Sequence, residues 1–176
     1  MPFAYVVNEI SSTVAVFEFD REAAAQLASD PNCKVPTLKL MQTVATVPPA
    51  FPDGANTCGR ICVDPSGQFV LVSNRGHNSI ASFKVNSDTG RLSQADFFHT
   101  RGRTPRHFQF DGNGKWLVVA NQDTDVITVF AFDRDTGSLS FTGNTYDVPS
   151  PNFVCVQTPY FLPAEDSDLT PEAQVL

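Results

Sequence analysis

Apolar and polar residues alternate over short stretches along most of the chain, which is the pattern of half-buried β-strands. Two segments with this pattern, Ile61–Ser93 and Phe108–Ser140, match each other without a gap. Their glycines, asparagines, phenylalanines and Asp-Thr-Gly turns fall in register, as in Gly67/Gly114, Asn74/Asn121, Phe83/Phe130 and Asp88–Gly90/Asp135–Gly137. The spacing of 47 residues is typical of a β-propeller, in which each blade is a four-stranded sheet.

The second copy divides into four predicted strands, which we name A to D from the centre of the propeller outwards. They are Arg106–Asp111, Trp116–Asn121, Val126–Asp133 and Leu139–Tyr146. The hairpin between A and B is Asp111–Gly114, where Asn and Gly accept positive φ.

A weaker copy, Phe3–Phe19, precedes these two, and Asn152–Gln157 resembles strand A of the second. Two loops separate the first copies: Arg21–Pro36 is rich in Ala and predicts a short helix, and Pro48–Gly59 is rich in Pro, Gly and Asn. The sequence therefore predicts strands B, C and D of one blade, two complete blades and a final strand A. This is an all-β fold, a partial β-propeller of about three four-stranded blades.

One domain is predicted for residues 1–162, followed by an acidic tail, residues 163–176, that we expect to be disordered. Propellers close with about four to eight blades, so we expect the sequence to be the C-terminal part of a larger ring. The unpaired strand edges of an open arc favour pairing with other chains. We therefore expect self-association through the blade edges.

Composition narrows the class of partner. The net charge of −7 argues against nucleic acid, which requires a cationic surface. We expect no membrane span and no signal peptide, because no apolar run approaches about 18 residues and the first ten residues carry no basic segment. The cysteines are Cys33, Cys58, Cys62 and Cys155. They form no Cys-x-x-Cys pair, so we expect reduced thiols, no metal site and a cytoplasmic location.

The repeat also singles out polar residues that we expect to share one face. Glu9, Arg75 and Gln122 each follow the Asn that ends a strand B, and Arg106 begins a strand A. The B-to-C and D-to-A connections of a propeller emerge on the same face. We therefore expect the four residues to converge there, on loops of the kind that commonly carry binding sites.

The residue types suit the opening of a lactone. A carboxylate such as Glu9 can act as a general base toward water. A guanidinium such as that of Arg75 offers hydrogen bonds to a substrate anion or to the oxyanion formed during the reaction. The sequence contains no Gly-x-Ser-x-Gly motif, so a serine nucleophile is not expected.

Three further residues are candidates for substrate binding: Arg106, Gln122 and His77. Arg106 has the structural alternative of linking two blades. His77 and His107 are more often satisfied loop or edge residues than bases or ligands. The asparagines that recur at the ends of the strands B are expected to bond backbone groups.

Several of these strings resemble one family. They are Val7-Asn8-Glu9, Ser73-Asn-Arg-Gly-His-Asn-Ser-Ile80, Thr104-Pro-Arg-His-Phe108 and Asn121-Gln122. They resemble the lactonase family of seven-bladed propellers, and the likeness covers most of residues 3–157. The resemblance implies an active site at the mouth of the channel that includes Glu9 and Arg75.

The resemblance further implies a small-molecule lactone as substrate, with 6-phosphogluconolactone as the leading candidate, and we expect no cofactor. Three alternatives stay open. The first is cycloisomerase chemistry on a muconolactone, in which the same carboxylate and arginine would transfer a proton and bind a carboxylate. The others are a binding scaffold without catalysis and an inactive truncated fragment.

Overall fold

A computed structural model describes residues 2–30, 32, 34–93 and 95–157, and the predicted tail lies outside these residues. The described part contains one α-helix, eleven β-strands and a short 3-10 helical turn at Gln122–Thr124. In chain order the elements are β1 (Phe3–Asn8), β2 (Thr13–Phe19), α1 (Arg21–Ser29), β3 (Leu38–Ala45), β4 (Thr57–Val63), β5 (Phe69–Arg75), β6 (Ser79–Lys84), β7 (Asp96–His99), β8 (Pro105–Phe110), β9 (Trp116–Asn121), β10 (Val126–Phe132) and β11 (Leu139–Asp147).

The strands form three antiparallel sheets, which we number in chain order. Sheet 1 is β1-β2-β3, sheet 2 is β4-β5-β6-β7 and sheet 3 is β8-β9-β10-β11. This confirms the all-β partial propeller, with strands B, C and D in sheet 1 and strands A to D in the other two. The repeat placed the strands of sheet 3 to within one residue at each end.

Two details differ from the prediction. Residues 151–157 resemble a strand A but form no strand. They lie beside β8, where the backbone N–H of Val154 donates to His107 and the side chain of Gln109 donates to the carbonyl of Val156. A strand needs a partner for its backbone ladder, and these two contacts involve side chains. The loop predicted over residues 48–59 is also shorter, because β4 already begins at Thr57.

A buried hydrophobic cluster fills each space between neighbouring sheets, which we call the first and second seams. The first seam, between sheets 1 and 2, contains Val14, Val16, Cys58, Val70, Val72, Ala81, Phe83, Leu92 and Ala95. The second seam, between sheets 2 and 3, contains Phe69, Leu71, Ile80, Phe108, Phe110, Leu117, Val119, Phe130, Phe132 and Leu139. Alternate residues of β5 face opposite seams, as the period of a strand requires.

In sheets 2 and 3, the glycine of the Asp-Thr-Gly turn packs against an aromatic ring of the preceding sheet. Gly90 packs against the ring of Phe3, and Gly137 packs against the ring of Phe69. Both glycines have positive φ, and a Cβ atom at Gly137 would lie 2.4 Å from the Phe69 ring. Trp116 occupies the next equivalent position, and its side chain remains 38% exposed. In sheets 1 and 2 the turn of the following sheet therefore covers this aromatic position.

The asparagine at the end of strand B has a recurring structural role, as its recurrence in the sequence predicts. The amide of Asn74 donates to the carbonyl of Thr46 at 2.6 Å. The amide of Asn121 donates to the equivalent carbonyl of Thr100 at 3.4 Å and to the hydroxyl of Thr128 at 3.0 Å. These bonds tie the end of a strand B to the connection that enters the same sheet.

Candidate functional site

The structure brings Glu9 and Arg75 together across the first seam. Arg75 is the last residue of β5, and Glu9 follows β1. The Nη2 group of Arg75 donates to Oε1 of Glu9 and also to the carbonyl oxygen of Cys58, at 2.8 Å. The Glu9 side chain is 61% exposed, whereas that of Arg75 is 13% exposed. The pair therefore consists of a carboxylate open to solvent and a guanidinium anchored in the protein.

The backbone holds both members in place. The N–H of Cys58 donates to the carbonyl of Glu9 at 2.9 Å, and Thr57 pairs with Arg75 in the ladder between β4 and β5. Among the described residues, no other hydrogen bond reaches the Glu9 carboxylate, so Oε2 remains open. The Nε atom of Arg75 is buried and has no partner among the same residues. One oxygen of the exposed Glu9 carboxylate is thus open to a ligand, whereas the Nε–H of Arg75 is buried and unsatisfied within the described part of the chain.

A buried polar network that the sequence analysis missed lies next to this pair, centred on Asn56. Its amide nitrogen donates to Ser12 Oγ at 2.9 Å and to Asn74 Oδ1 at 3.1 Å. Its amide oxygen accepts from the backbone N–H of His77 at 3.1 Å. Asn56 therefore connects the hairpin after Glu9 to the turn after Arg75. It lies in an insertion without a counterpart in the repeat, so no periodic signal marked it.

His77 lies close to the pair along the chain, but its ring is surrounded by other groups. Its Nδ1 atom is 2.7 Å from the hydroxyl of Ser79. The ring makes edge contacts with Phe51 and Phe97, at centroid distances of 4.9 and 5.5 Å. Burial, and then the nearby charge of His99, lower the pKa of His77. At neutral pH the neutral ring packs as part of the loop structure, and its role in substrate binding stays a prediction.

The other two predicted residues make no contact with the pair that the structure records among the described residues. Gln122 begins the 3-10 turn after β9, and its amide reaches Ser150 Oγ at 3.5 Å. Arg106 is exposed on β8, and its backbone carbonyl lies against Gly59, the residue after Cys58. The Arg106 side chain forms no hydrogen bond or ion pair with any described residue. The exposed Arg106 side chain is therefore available to contact a ligand.

A second polar cluster, which sequence reasoning did not select, lies on the first strands of sheets 2 and 3. Nη1 of Arg60 is 2.6 Å from Nε2 of His107, and the Phe153 ring stacks on the imidazole at 3.8 Å. His107 is only 6% exposed. Burial, and then the charge of Arg60, lower its pKa to about 4. The repeat contained a signal for this contact, because Arg60 and His107 are one period apart.

The described residues contain no group of three or more His, Cys, Asp or Glu side chains arranged to hold an ion. Cys58, Cys62 and Cys155 are free thiols, and Cys33 lies outside the described residues. No helix in the described part of the chain is long and apolar enough to span a membrane.

The family model for the lactonases with a seven-bladed β-propeller matches residues 1–157. The chain belongs to this family. A relative named 6-phosphogluconolactonase, from Bacillus subtilis, is 35% identical over 109 residues, which cover 62% of this chain and 28% of the relative.

Solved structures agree with the family assignment. A protein from Lactobacillus plantarum superposes with a TM-score of 0.74 at 30% identity, covering 86% of this chain and 40% of that chain. A structure described as a putative 6-phosphogluconolactonase from Bacteroides fragilis superposes with a TM-score of 0.71 at 33% identity. The match covers 86% of this chain and 37% of that chain. The periplasmic gluconolactonase of Pseudomonas aeruginosa superposes with a TM-score of 0.71 at 30% identity. The match covers 85% of this chain and 38% of that chain. This chain thus spans less than half the length of these relatives.

Proposed function

We propose that this chain provides catalytic residues of a sugar-lactone hydrolase whose substrate is 6-phosphogluconolactone. The observation that carries the proposal is the Glu9–Arg75 pair, which joins neighbouring sheets in a member of the lactonase family. The names of the Bacillus and Bacteroides relatives support the choice of substrate. Both similar regions cover only part of those proteins, so activity of this chain belongs to the proposal.

In the proposed reaction, Glu9 acts as the general base. Its open Oε2 atom accepts a proton from a water molecule, and the water oxygen forms a bond to the lactone carbonyl carbon. The guanidinium of Arg75, held by the Cys58 carbonyl, donates to the oxyanion that develops on the carbonyl oxygen. The bond between the carbonyl carbon and the ring oxygen then breaks. The ring oxygen takes up the proton from Glu9, and the hydroxy acid leaves.

Arg106 is the proposed contact for the phosphate group. A guanidinium binds phosphate through two parallel hydrogen bonds, and the Arg106 side chain is exposed without a partner among the described residues. A local cation is needed because the chain carries a net charge of −7, which repels an anionic substrate. Gln122 and His77 complete the proposed binding surface from the neighbouring loops.

The first test replaces Glu9 by Gln and measures the initial rate of lactone ring opening by titration of the released acid at constant pH. We expect kcat to fall by a factor of about 100 or more, because general-base catalysis contributes about that much. Glu22→Gln is the matched control, since it removes the same charge from the exposed surface of α1. A Glu9→Gln variant as fast as wild type would remove Glu9 from the mechanism.

The second test separates phosphate binding from chemistry. We expect Arg106→Gln to raise KM for 6-phosphogluconolactone about tenfold with little change in kcat, which is the signature of a contact present equally in ground and transition states. The KM for unphosphorylated gluconolactone should not change. An equal loss with both lactones would argue against a phosphate contact at Arg106.

Location and self-association also belong to the proposal. The three cysteines that the structure describes are free thiols, which supports a reducing, cytoplasmic environment. In the described residues β1 pairs only with β2, which leaves its other edge open, and Val6 on that strand is 45% exposed. We expect light scattering to show concentration-dependent association that Val6→Lys reduces, because a charge on an edge strand opposes pairing. A monomer at every concentration would contradict this part.

A further inference from the structure

The Arg60–His107 cluster lies apart from the Glu9–Arg75 pair and takes no part in the proposed reaction. Arg60 on β4 and His107 on β8 occupy equivalent positions of the repeat, and Val154 lies beside His107. The three are linked in a row. Nη1 of Arg60 lies 2.6 Å from Nε2 of His107, and the backbone N–H of Val154 lies 3.2 Å from Nδ1 of the same ring.

This row contains more hydrogen-bond donors than acceptors. A guanidinium and a backbone N–H can only donate, and a neutral imidazole has one lone pair and one N–H. Whichever tautomer His107 adopts, one of its two contacts therefore places a donor against a donor. A protonated ring would have no acceptor at all. Because His107 is only 6% exposed, bulk water does not resolve the mismatch.

Arg60 also lacks a counter-charge. The ion pairs found among the described residues are Glu9–Arg75 and Glu18–Lys39. The Nε atom of Arg60 is buried without a partner in the same part of the chain. The Cys62 sulfur is within hydrogen-bonding reach of Arg60 but carries no charge at neutral pH, since burial raises the pKa of the thiol to about 11. The cluster is therefore positive, partly buried and short of acceptors.

We propose that Arg60 and His107 form a binding subsite for a small oxyanion, a carboxylate or phosphate group, between the innermost strands of sheets 2 and 3. An acceptor oxygen beside their contact receives hydrogen bonds from the Arg60 Nη groups and from the His107 Nε2–H. The Nδ1 lone pair of His107 then accepts from Val154. Each of the three donors has an acceptor in this arrangement. The subsite does not depend on the role of Glu9.

Titration calorimetry with inorganic phosphate, and separately with acetate, tests this proposal on the full chain at neutral pH. We expect Arg60→Met to weaken anion binding by about tenfold or more, since each charge-assisted hydrogen bond contributes at least that factor. Arg103→Met is the matched control, because it removes an exposed arginine near β8. Arg75→Met and Arg106→Met, which change the proposed active site, should leave one anion site intact.

The two anions distinguish the sources of the ligand group. Tighter binding of phosphate would assign the subsite to a phosphorylated ligand, and comparable binding of acetate would assign it to a carboxylate. The proposal is overturned if neither anion binds, if Arg60→Met binds as wild type does, or if Arg75→Met or Arg106→Met alone abolishes binding.

A second measurement does not depend on the folding of any variant. In the wild-type protein we expect phosphate or acetate to move the imidazole NMR signals of His107 and to fix its proton on Nε2. Anion-induced shifts confined to His77 and His99, with His107 unchanged, would place the bound ion elsewhere and overturn the proposal.

Discussion

The two seams come from the same repeat, yet different interactions hold them together. Five buried phenylalanines dominate the second seam, with edge contacts such as Phe110 to Phe132 at a centroid distance of 4.9 Å. The first seam contains smaller apolar residues and one buried phenylalanine, Phe83. A polar network and the Glu9–Arg75 pair lie above its apolar part. The candidate active site is therefore built at the seam with more polar contacts and fewer aromatic ones.

Loop length explains much of this difference. The connection between sheets 1 and 2 is long and places Asn56 between Ser12 and Asn74. The connection between sheets 2 and 3, residues 100–104, is short and provides no such side chain. Consequently Asn74 Oδ1 has a donor, whereas the equivalent Oδ1 of Asn121 is buried without a partner among the described residues. An insertion in one connection can thus adapt a repeated scaffold to support a site.

The largest expected effect tests the aromatic seam. Phe69→Ala should lower the free energy of unfolding by about 4 kcal/mol, because it leaves a cavity in a core position that is 2% exposed. Trp116→Ala, at the equivalent and 38% exposed position, should cost about 1–2 kcal/mol. Urea denaturation measures both. Equal losses in the free energy of unfolding would show that covering this position with the turn of the following sheet adds no stability.

The second prediction compares the two asparagines. Asn74 bonds Asn56, Thr46 and Ser79, so Asn74→Ala should cost about 3 kcal/mol and leave buried partners unsatisfied. Asn121→Ala should cost about 1 kcal/mol less, because it also removes an oxygen that already lacks a partner. If Asn121→Ala is the more destabilising variant, the polar network does not strengthen the first seam.

The third prediction concerns acid sensitivity of the second seam. The pKa of His107 falls from 6.5 to about 4 on folding, so the unfolded chain binds this proton more readily. The stability that depends on the neutral ring is complete above about pH 6.5 and is lost as the pH falls toward 4. Between pH 7 and 4.5, wild type should lose about 2 kcal/mol more than His107→Gln. Parallel pH profiles of the two proteins would contradict this.

The smallest expected effect is the stability change in Glu9→Gln. The carboxylate is 61% exposed, and exposed ion pairs contribute roughly 0–1 kcal/mol. We expect urea denaturation to show a loss below about 0.5 kcal/mol, although the lactonase rate falls steeply. A loss of several kcal/mol would mean that the pair holds the first seam together, and the activity of the variant would then be uninformative.

The sequence predicted the fold well because the repeat constrains several levels of structure at once. A single match fixed the strands, their order and the turns of sheets 2 and 3. It also predicted that Glu9 and Arg75 would share one rim, since equivalent loops of neighbouring blades meet there. The pair forms as expected, and its catalytic role stays a proposal.

Three parts of the structure were not predicted from the repeat. Asn56 lies in an insertion, so neither period nor residue type marked it. Arg60 and His107 occupy equivalent positions, but their different chemistry concealed the relation. Residues 151–157 have the apolar pattern of a strand, but forming a strand depends on a neighbouring backbone that a pattern does not reveal.

A double-mutant cycle of Glu9→Gln and Arg75→Met, measured as kcat/KM for 6-phosphogluconolactone, tests the central claim most directly. If the two side chains act as one catalytic unit across the first seam, the double variant should be no slower than the slower single variant, because residues that act together are not additive. Strictly additive losses in activation free energy would show that Glu9 and Arg75 act independently and would contradict the account.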